Sequence, residues 1–348
     1  MTKVSKPFSK KLFIENCPLI ISEVGQNHEG SLGMAHAYID ALADAGVDAV
    51  KFQTHIADEE STIDEKFRVK FSYEDKTRFD YWKRMEFNED QWAELKGHVD
   101  DKGMTFLSTP FSIGAVNLLT NIGVEVWKIG SGDIMSNNIL DAIISTKKPC
   151  IVSSGMSAWH ELDFITQRLS EANIKYCMMQ CTSKYPTPLD NVGLNILNEM
   201  KQRYGCRVGL SDHSGSLSPS LAAIARGFSL IEVHATFDKR MFGPDILASL
   251  TIEEIKKLVS FATELNFIDN NPVKKNILAK EMISQKKLFD RSLALVRDLT
   301  SGHILTEKDL TLKKPGGGLS WSQRGQLLNR PLSKDTSKKR LLKIEDVL

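Results

Sequence analysis

Two histidines follow the last two of eight short apolar runs in this chain, His213 in GLSDHS and His234 in LIEVHATFD. Imidazoles at the ends of neighbouring strands can share one divalent ion and leave its other positions to carboxylate, water and substrate. Glu232 precedes His234 by two residues and so lies on the same face of a strand, where it would ligate directly or through a water. Such a site suits Mn or Mg and also admits Zn. The alternative is a pair of histidines that form only hydrogen bonds.

Two lysines end other runs, Lys51 in AVKFQT and Lys128 in VWKIGSGD. Their apolar neighbours indicate two cations in a partly dry site, where hydroxyl groups would complete a cradle for phosphate and carboxylate. A Schiff-base lysine is the alternative chemistry, and a lysine in a structural ion pair is the alternative without chemistry. The candidate hydroxyls are Thr109, Ser131, Ser153 and Ser211.

Three carboxylates, Glu23, Asp133 and Asp245, lie at or near the ends of runs. They are candidates for orienting sugar hydroxyls or for moving protons, with structural ion pairing to the lysines as the alternative. Tyr185 lies in CTSKYPTP, where two prolines restrict the loop after the sixth run.

The eight runs alternate with segments of helical periodicity, such as 31–46 and 249–267, and this alternation predicts a parallel sheet. We expect an α/β fold of the (β/α)8 TIM-barrel type, because eight units favour closure and no GxGxxG follows the first strand. All strand C-termini then meet at one rim, which brings the candidate residues together. The runs span 19–26, 49–54, 105–111, 126–133, 149–156, 176–183, 207–214 and 230–238.

One connection, residues 55–87, is unusually long and mixes aromatic residues with arginines. Loops of this length inside a compact domain are usually functional. We interpret this segment as a cover of the rim or a dimer surface, with packing on the flank of the barrel as the alternative.

The composition predicts a barrel over 1–267, a linker over 268–289 and a small β-rich domain over 290–348, with strand-like pieces SLALVRD and LLKIEDVL. From residue 311 onward, nine Lys and Arg oppose three Asp and Glu. That basic surface is either a solvated face or a contribution to an anionic active site.

The 348 residues carry a net charge of +1, so no global charge favours nucleic acid or a membrane surface as a partner. The N-terminal segment lacks the apolar stretch of a signal peptide. Five cysteines without a CxxC motif indicate free thiols in a reducing cytoplasm.

Eight motifs make the chain resemble the sialic acid synthase family, which contains N-acetylneuraminate, legionaminate and pseudaminate synthases. They are SEVGQNHEG, KFQT, STPF, WKIGSGD, SSGM, CTSKYP, GLSDHS and FGPD, in order along the barrel. The KKPGGG segment is similar to the family's small antifreeze-like (SAF) domain. The resemblance implies condensation of phosphoenolpyruvate with an N-acylated amino sugar, release of phosphate by C–O cleavage, and N-acetylneuraminate as the first candidate product. Legionaminate or pseudaminate synthesis, a Schiff-base aldolase and a non-catalytic sugar-binding protein are the alternatives.

The resemblance also implies roles for matching positions. His213 and His234 would bind the metal, with Mn expected and Mg or Co as alternatives, and Glu23 would assist proton movement. Family members are domain-swapped homodimers, and the family arginine that contacts the sugar aligns with Lys314, which lacks the planar donor geometry of arginine. The residues facing phosphoenolpyruvate would be Lys51, Thr109, Lys128, Ser131, Ser153, Ser183 and Ser211, and those facing the sugar Gln53, Asp133, Tyr185 and Asp245.

Overall fold

The computed structural model describes residues 7–14, 17–69 and 71–348, and it divides the chain into two units, Met1–Asn270 and Asn271–Leu348. Residues 1–6, 15 and 16, part of the segment for which we expect no signal peptide, lie outside the described residues. Among those described, no helix is long and apolar enough to cross a membrane.

The first unit is a nearly closed barrel of eight parallel strands, which confirms the predicted fold class. The strand order is β3-β2-β1-β8-β7-β6-β5-β4, and no ladder between β4 and β3 is present in the described part of the chain. The strands are β1 Leu19–Gly25, β2 Ala49–Thr54, β3 Thr105–Pro110, β4 Trp127–Ile129, β5 Cys150–Ser153, β6 Tyr176–Gln180, β7 Val208–Asp212 and β8 Leu230–Thr236, with a short β9, Leu250–Thr251, paired to β8.

Helices follow the strands and surround the barrel, and several of them begin at a residue whose side chain caps the helix. The Ser31 hydroxyl accepts from the Met34 N–H, and Thr251 and Glu254 form a capping box. The helices of this unit are α1 Phe8–Lys11, α2 Leu32–Ala45, α3 Ala57–Glu60, α4 Arg78–Met85, α5 Glu89–Asp101, α6 Ile113–Asn121, α7 Asn137–Ser145, α8 Trp159–Glu171, α9 Ile196–Tyr204, α10 Leu217–Ala225 and α11 Ile252–Asn270.

Side chains on the interior face of the strands change from apolar to polar toward the C-terminal rim. One core cluster fills the lower interior with residues such as Ile21, Ala49 and Leu230, together with Phe8 and Leu12. Because side chains on one face of a strand recur every two residues, the next interior positions are Glu23, Lys51 and Glu232. The alternation therefore directs charged groups into the mouth of a barrel whose lower part is a packed core.

The second unit agrees with its predicted secondary structure in part. The last barrel helix continues to Asn270, three residues past the predicted boundary. We expect a helical stretch after the polar segment 268–276, and the structure has α12 Lys275–Glu281 and α13 Ile283–Phe289 there. Two antiparallel strands follow, β10 Ser292–Leu295 and β11 Leu310–Lys313. The prediction of a strand in LLKIEDVL is wrong, because this segment makes only isolated bridges and a short 3-10 turn. Leu342 and Val347 of this segment pack instead into the small core of this unit.

Candidate active site

Four charged side chains, each at most 3% exposed, meet at the interior ends of β1, β2, β4 and β8. Lys51 Nζ lies 2.5 Å from Glu23 Oε1 and 3.8 Å from Glu232 Oε1. Lys128 Nζ donates to Glu232 Oε1 at 2.7 Å. We predicted that Lys51 and Lys128 bind anions, with structural ion pairs as the alternative. The structure shows that both lysines form such ion pairs.

These contacts shift the pKa values of Glu23, Lys51 and Glu232. Burial alone would raise the pKa of Glu23, but Lys51 and His234 hold it well below its usual range. Burial opposes the charge of Lys51 as well, yet Glu23 and Glu232 raise its pKa. The pKa of Glu232 is lowered against the effect of burial by Lys128 and Lys51. Glu23 and Glu232 are therefore carboxylates that accept hydrogen bonds and do not act as acids.

The two predicted metal ligands lie side by side at the ends of β7 and β8, with ring centroids 5.2 Å apart. His213 Nδ1 lies 3.1 Å from the carbonyl oxygen of Thr182. Burial, followed by the neighbouring His234, lowers the pKa of His213 to about 3, so this imidazole is neutral. His234 Nε2 lies 3.2 Å from Glu23 Oε2. Neutral imidazole is the form that binds a metal ion.

Both rings have a nitrogen without a strong hydrogen bond, which fits a metal-binding pair. His234 Nδ1 is buried and has no hydrogen-bond partner. His213 Nε2 has only long contacts, 3.3 Å to Ser211 Oγ and 3.5 Å to the Tyr185 hydroxyl. No group of three or more His, Cys, Asp or Glu within the described ranges is arranged to hold a metal. Glu232 Oε1 accepts from Lys128 and Ser211, whereas its buried Oε2 has no hydrogen-bond partner, so the role of Glu232 as a ligand, direct or through water, stays a prediction.

A cavity of about 420 Å³ opens toward the rim beside these buried groups. This volume lies within the range of small-ligand sites. The barrel residues that we predicted to face the sugar all line this cavity. Ser131 and Ser183, whose hydroxyls we predicted to face phosphoenolpyruvate, line it too, and their Oγ atoms lie 2.9 Å apart. The sugar residues are Gln53, Asp133, Tyr185 and Asp245.

The remaining predicted hydroxyls are buried in the barrel, whereas Lys314 is in the second unit. Thr109, Ser153 and Ser211 are each at most 4% exposed. Thr109 pairs with Gln53 in the register of β2 and β3. Lys314 Nζ lies 5.2 Å from the centre of the Phe289 ring, and its predicted role toward the sugar stays a prediction.

The described residues of the long connection, 55–69 and 71–87, hereafter the cover segment, lie over the rim. Arg68 donates to Asp245 Oδ1 at 2.8 Å, and its guanidinium carbon lies 4.2 Å from the centre of the Tyr185 ring. Arg68, Arg78 and Trp82 line the same cavity as the predicted sugar residues. The structure therefore supports a cover of the rim over packing on the flank.

Sequence reasoning missed His55 and Glu60, which extend the site outward through hydrogen bonds. Gln53 Nε2 donates to Glu23 Oε1 at 2.8 Å, and Gln53 Oε1 lies 3.3 Å from His55 Nε2. His55 Nδ1 lies 2.7 Å from Glu60 Oε1. The available signal was the period of two along β2, since Lys51, Gln53 and His55 follow one another on one face.

Comparison with known proteins shows that this chain is similar to synthases of the NeuB family. The NeuB family model matches residues 38–274. An N,N'-diacetyllegionaminic acid synthase of Campylobacter jejuni is 32% identical over 331 residues, covering 93% of this chain and 98% of the relative. The human N-acetylneuraminate-9-phosphate synthase is 31% identical over 298 residues, covering 84% of this chain and 82% of the relative. The crystal structure of an N-acetylneuraminic acid synthetase from Leptospira borgpetersenii is 30% identical, with a TM-score of 0.68 over 78% of this chain and 92% of that chain.

Proposed function

We propose that this chain, which belongs to the NeuB family of sialic acid synthases, condenses phosphoenolpyruvate with an N-acylated amino sugar. The product is a nine-carbon 2-keto acid, and phosphate leaves by C–O cleavage. The observation that carries the proposal is the position of buried Lys51 and Lys128 beside two imidazoles at the barrel rim.

Lys51 and Lys128 supply the positive charge for phosphoenolpyruvate. Fixed cations in a site without bulk water stabilise phosphate and carboxylate more strongly than they would in solution. Their two positive charges are balanced by Glu23 and Glu232, so the four groups sum to zero. A multiply charged anion therefore needs further positive charge at this site.

His213 and His234 would hold a divalent ion that supplies this charge, with Mn as our first candidate and Mg or Co as alternatives. Such an ion polarises a carbonyl oxygen when it is bound. Water and substrate oxygens would fill its other positions beside the two imidazoles and the nearby carboxylates of Glu23 and Glu232.

The reaction forms one carbon–carbon bond and one carbon–oxygen bond, and it breaks one carbon–oxygen bond. Carbon 3 of phosphoenolpyruvate attacks the aldehyde carbon of the open-chain sugar, and the aldehyde oxygen gains a proton. Water adds to carbon 2, which has become electron-poor, and inorganic phosphate departs with the bridging oxygen. The added water loses both protons as it becomes the keto oxygen, one to the new sugar hydroxyl and one to the phosphate. Ionised Glu23 accepts hydrogen bonds beside these atoms, and Gln53 fixes its orientation at 2.8 Å. Asp133, Tyr185 and Asp245 orient the sugar.

The geometry disfavours a Schiff-base aldolase. A Schiff-base lysine attacks as a neutral amine. Lys128 lies 2.7 Å from the Glu232 carboxylate, a contact that stabilises its charged form. We expect borohydride with pyruvate to leave no adduct on Lys128, whereas a chelator should abolish turnover.

The identity of the sugar distinguishes the members of the family. N-acetylmannosamine, which gives N-acetylneuraminate, is the first candidate. A 2,4-diacetamido-6-deoxyhexose is the second, and the likeness to a diacetyllegionaminic acid synthase supports it. The name of the human relative adds a sugar 6-phosphate as a third, because three carbons from phosphoenolpyruvate turn carbon 6 into carbon 9.

Purified protein supplied with Mn²⁺, phosphoenolpyruvate and each sugar in turn should release phosphate in step with loss of phosphoenolpyruvate. Mass spectrometry of the product then identifies the sugar that is used. Sugar-dependent release from one or more of these compounds supports the proposal, and its absence with all of them contradicts it.

We also propose a domain-swapped homodimer in the cytoplasm. In the second unit, Val273, Leu288 and Phe289 are each more than 60% exposed, and a second copy would cover these apolar side chains. Five free cysteines suit a reducing compartment. Light scattering should give twice the mass of the 39.0 kDa chain, and a monomer at micromolar concentration would contradict the assembly.

A further inference from the structure

The cover segment builds the outer wall of the cavity and brings several charged groups to it. Two cations and four carboxyl groups line the cavity, together with the imidazole of His55 and the phenol of Tyr185. The cations are Arg68 and Arg78, and the acids are Glu60, Glu65, Asp133 and Asp245.

Both cations already have acidic partners. Arg68 donates to Asp245 at 2.8 Å, and Arg78 Nε lies 2.7 Å from Glu65 Oε1. Each guanidinium also lies over an aromatic ring, Arg68 over Tyr185 and Arg78 over Trp82 at 4.7 Å. Among the described lining residues, no Lys or Arg is left without an acidic partner for a ligand phosphate.

Two carboxyl groups keep capacity to accept hydrogen bonds. The Glu60 side chain is 8% exposed, and its Oε1 lies 2.7 Å from His55 Nδ1. Its Oε2 is buried and has no hydrogen-bond partner. Asp133 Oδ1 accepts only from Ser136 Oγ, at 3.2 Å. Since carboxylate oxygens can only accept, the ligand that satisfies them must donate O–H or N–H groups.

Aromatic and aliphatic side chains form the rest of this wall. The His55 ring lies between Trp82 and Phe111, with centroid distances of 4.1 Å and 4.7 Å. Met156 also lines the cavity and is 66% exposed. An acyl methyl group fits this apolar surface, whereas a doubly charged phosphate ester does not.

We propose that this cavity selects an uncharged amino sugar over its 6-phosphate, and that Glu60 is the specificity-determining residue. This inference rests on the proposed function. The Glu60 oxygen without a partner accepts an amide N–H or a hydroxyl of the sugar, and its charge repels a phosphate ester. His55 is a positioning residue that holds the other Glu60 oxygen.

Wild-type enzyme should use N-acetylmannosamine or a 2,4-diacetamido sugar with a kcat/KM about 100-fold above that for N-acetylmannosamine 6-phosphate. Like charges placed together cost several kcal/mol, and each 1.4 kcal/mol is a factor of ten. Glu60→Gln should raise KM for the neutral sugar about 10-fold through the weakened charged hydrogen bond, with KM for phosphoenolpyruvate unchanged. Glu60→Lys should reduce the preference against the phosphorylated sugar by about 10-fold or more.

Asp58→Asn is the matched control, because Asp58 lies on the same short helix but is exposed and pairs only with Lys83 on the surface. It should leave all constants unchanged. Equal or better use of the 6-phosphate by wild type, or an unchanged sugar KM in folded Glu60→Gln, overturns the inference while the proposed function stands. If neither variant folds, the ratio of kcat/KM for the neutral sugar to kcat/KM for its 6-phosphate, measured on the wild-type enzyme, decides alone. No phosphate release with any sugar would refute the proposed function instead.

Discussion

Replacing Lys128 by methionine should lower the rate of phosphate release about 10³-fold and also destabilise the barrel. The activity falls because one of two buried cations for phosphoenolpyruvate is lost, an electrostatic contribution of about 4 kcal/mol in comparable sites. The stability falls because the Glu232 carboxylate, 1% exposed, loses its 2.7 Å partner. Breaking a buried pair costs about 3–5 kcal/mol, which lowers the melting temperature by roughly 10 °C.

A second change separates the catalytic role of Lys128 from its structural role. Lys128→Met combined with Glu232→Gln removes both charges and should recover most of the melting temperature. Activity should stay low, since the cation for phosphoenolpyruvate is still missing. Lys102→Met, a surface lysine that pairs with Asp40, serves as control. Full activity in the double variant would show that Lys128 is only a structural ion-pair partner.

Replacing His213 by alanine should lower turnover by about 10³-fold, because a metal-polarised carbonyl contributes several kcal/mol. Mn²⁺ affinity, measured by calorimetry in the absence of both substrates, should fall together with turnover. His160→Ala, an exposed histidine at the start of α8, is the control and should change neither. Unchanged Mn²⁺ affinity in folded His213→Ala would refute the assignment of the metal ligands.

The sequence predicted the barrel and the inner site because each depends on a local pattern. Period-two alternation along the strands placed Glu23, Lys51 and Glu232 on one interior face, and parallel strands placed their ends at one rim. The pairing of Lys51 with Glu23 was expected only as an alternative, because a strand pattern specifies the face of a side chain but not its partner.

The outer site was less predictable because it depends on contacts between distant segments. Arg68 contacts Asp245, 177 positions later, and no periodic pattern in the cover segment specifies this. Glu60 lies in the acidic stretch ADEE, whose composition is typical of an exposed helix. Only its contact with His55, on the extension of β2, brings it into the cavity. LLKIEDVL is rich in apolar residues like a strand but makes only isolated bridges within its small domain.

The position of bond cleavage in phosphoenolpyruvate tests the central claim most directly. Phosphoenolpyruvate labelled with ¹⁸O in the bridge between carbon 2 and phosphorus is turned over with the accepted sugar and Mn²⁺. Our account predicts that the label leaves with inorganic phosphate, because water adds to carbon 2 and the C–O bond breaks. Label retained in the keto acid would mean P–O cleavage and would contradict the proposed reaction.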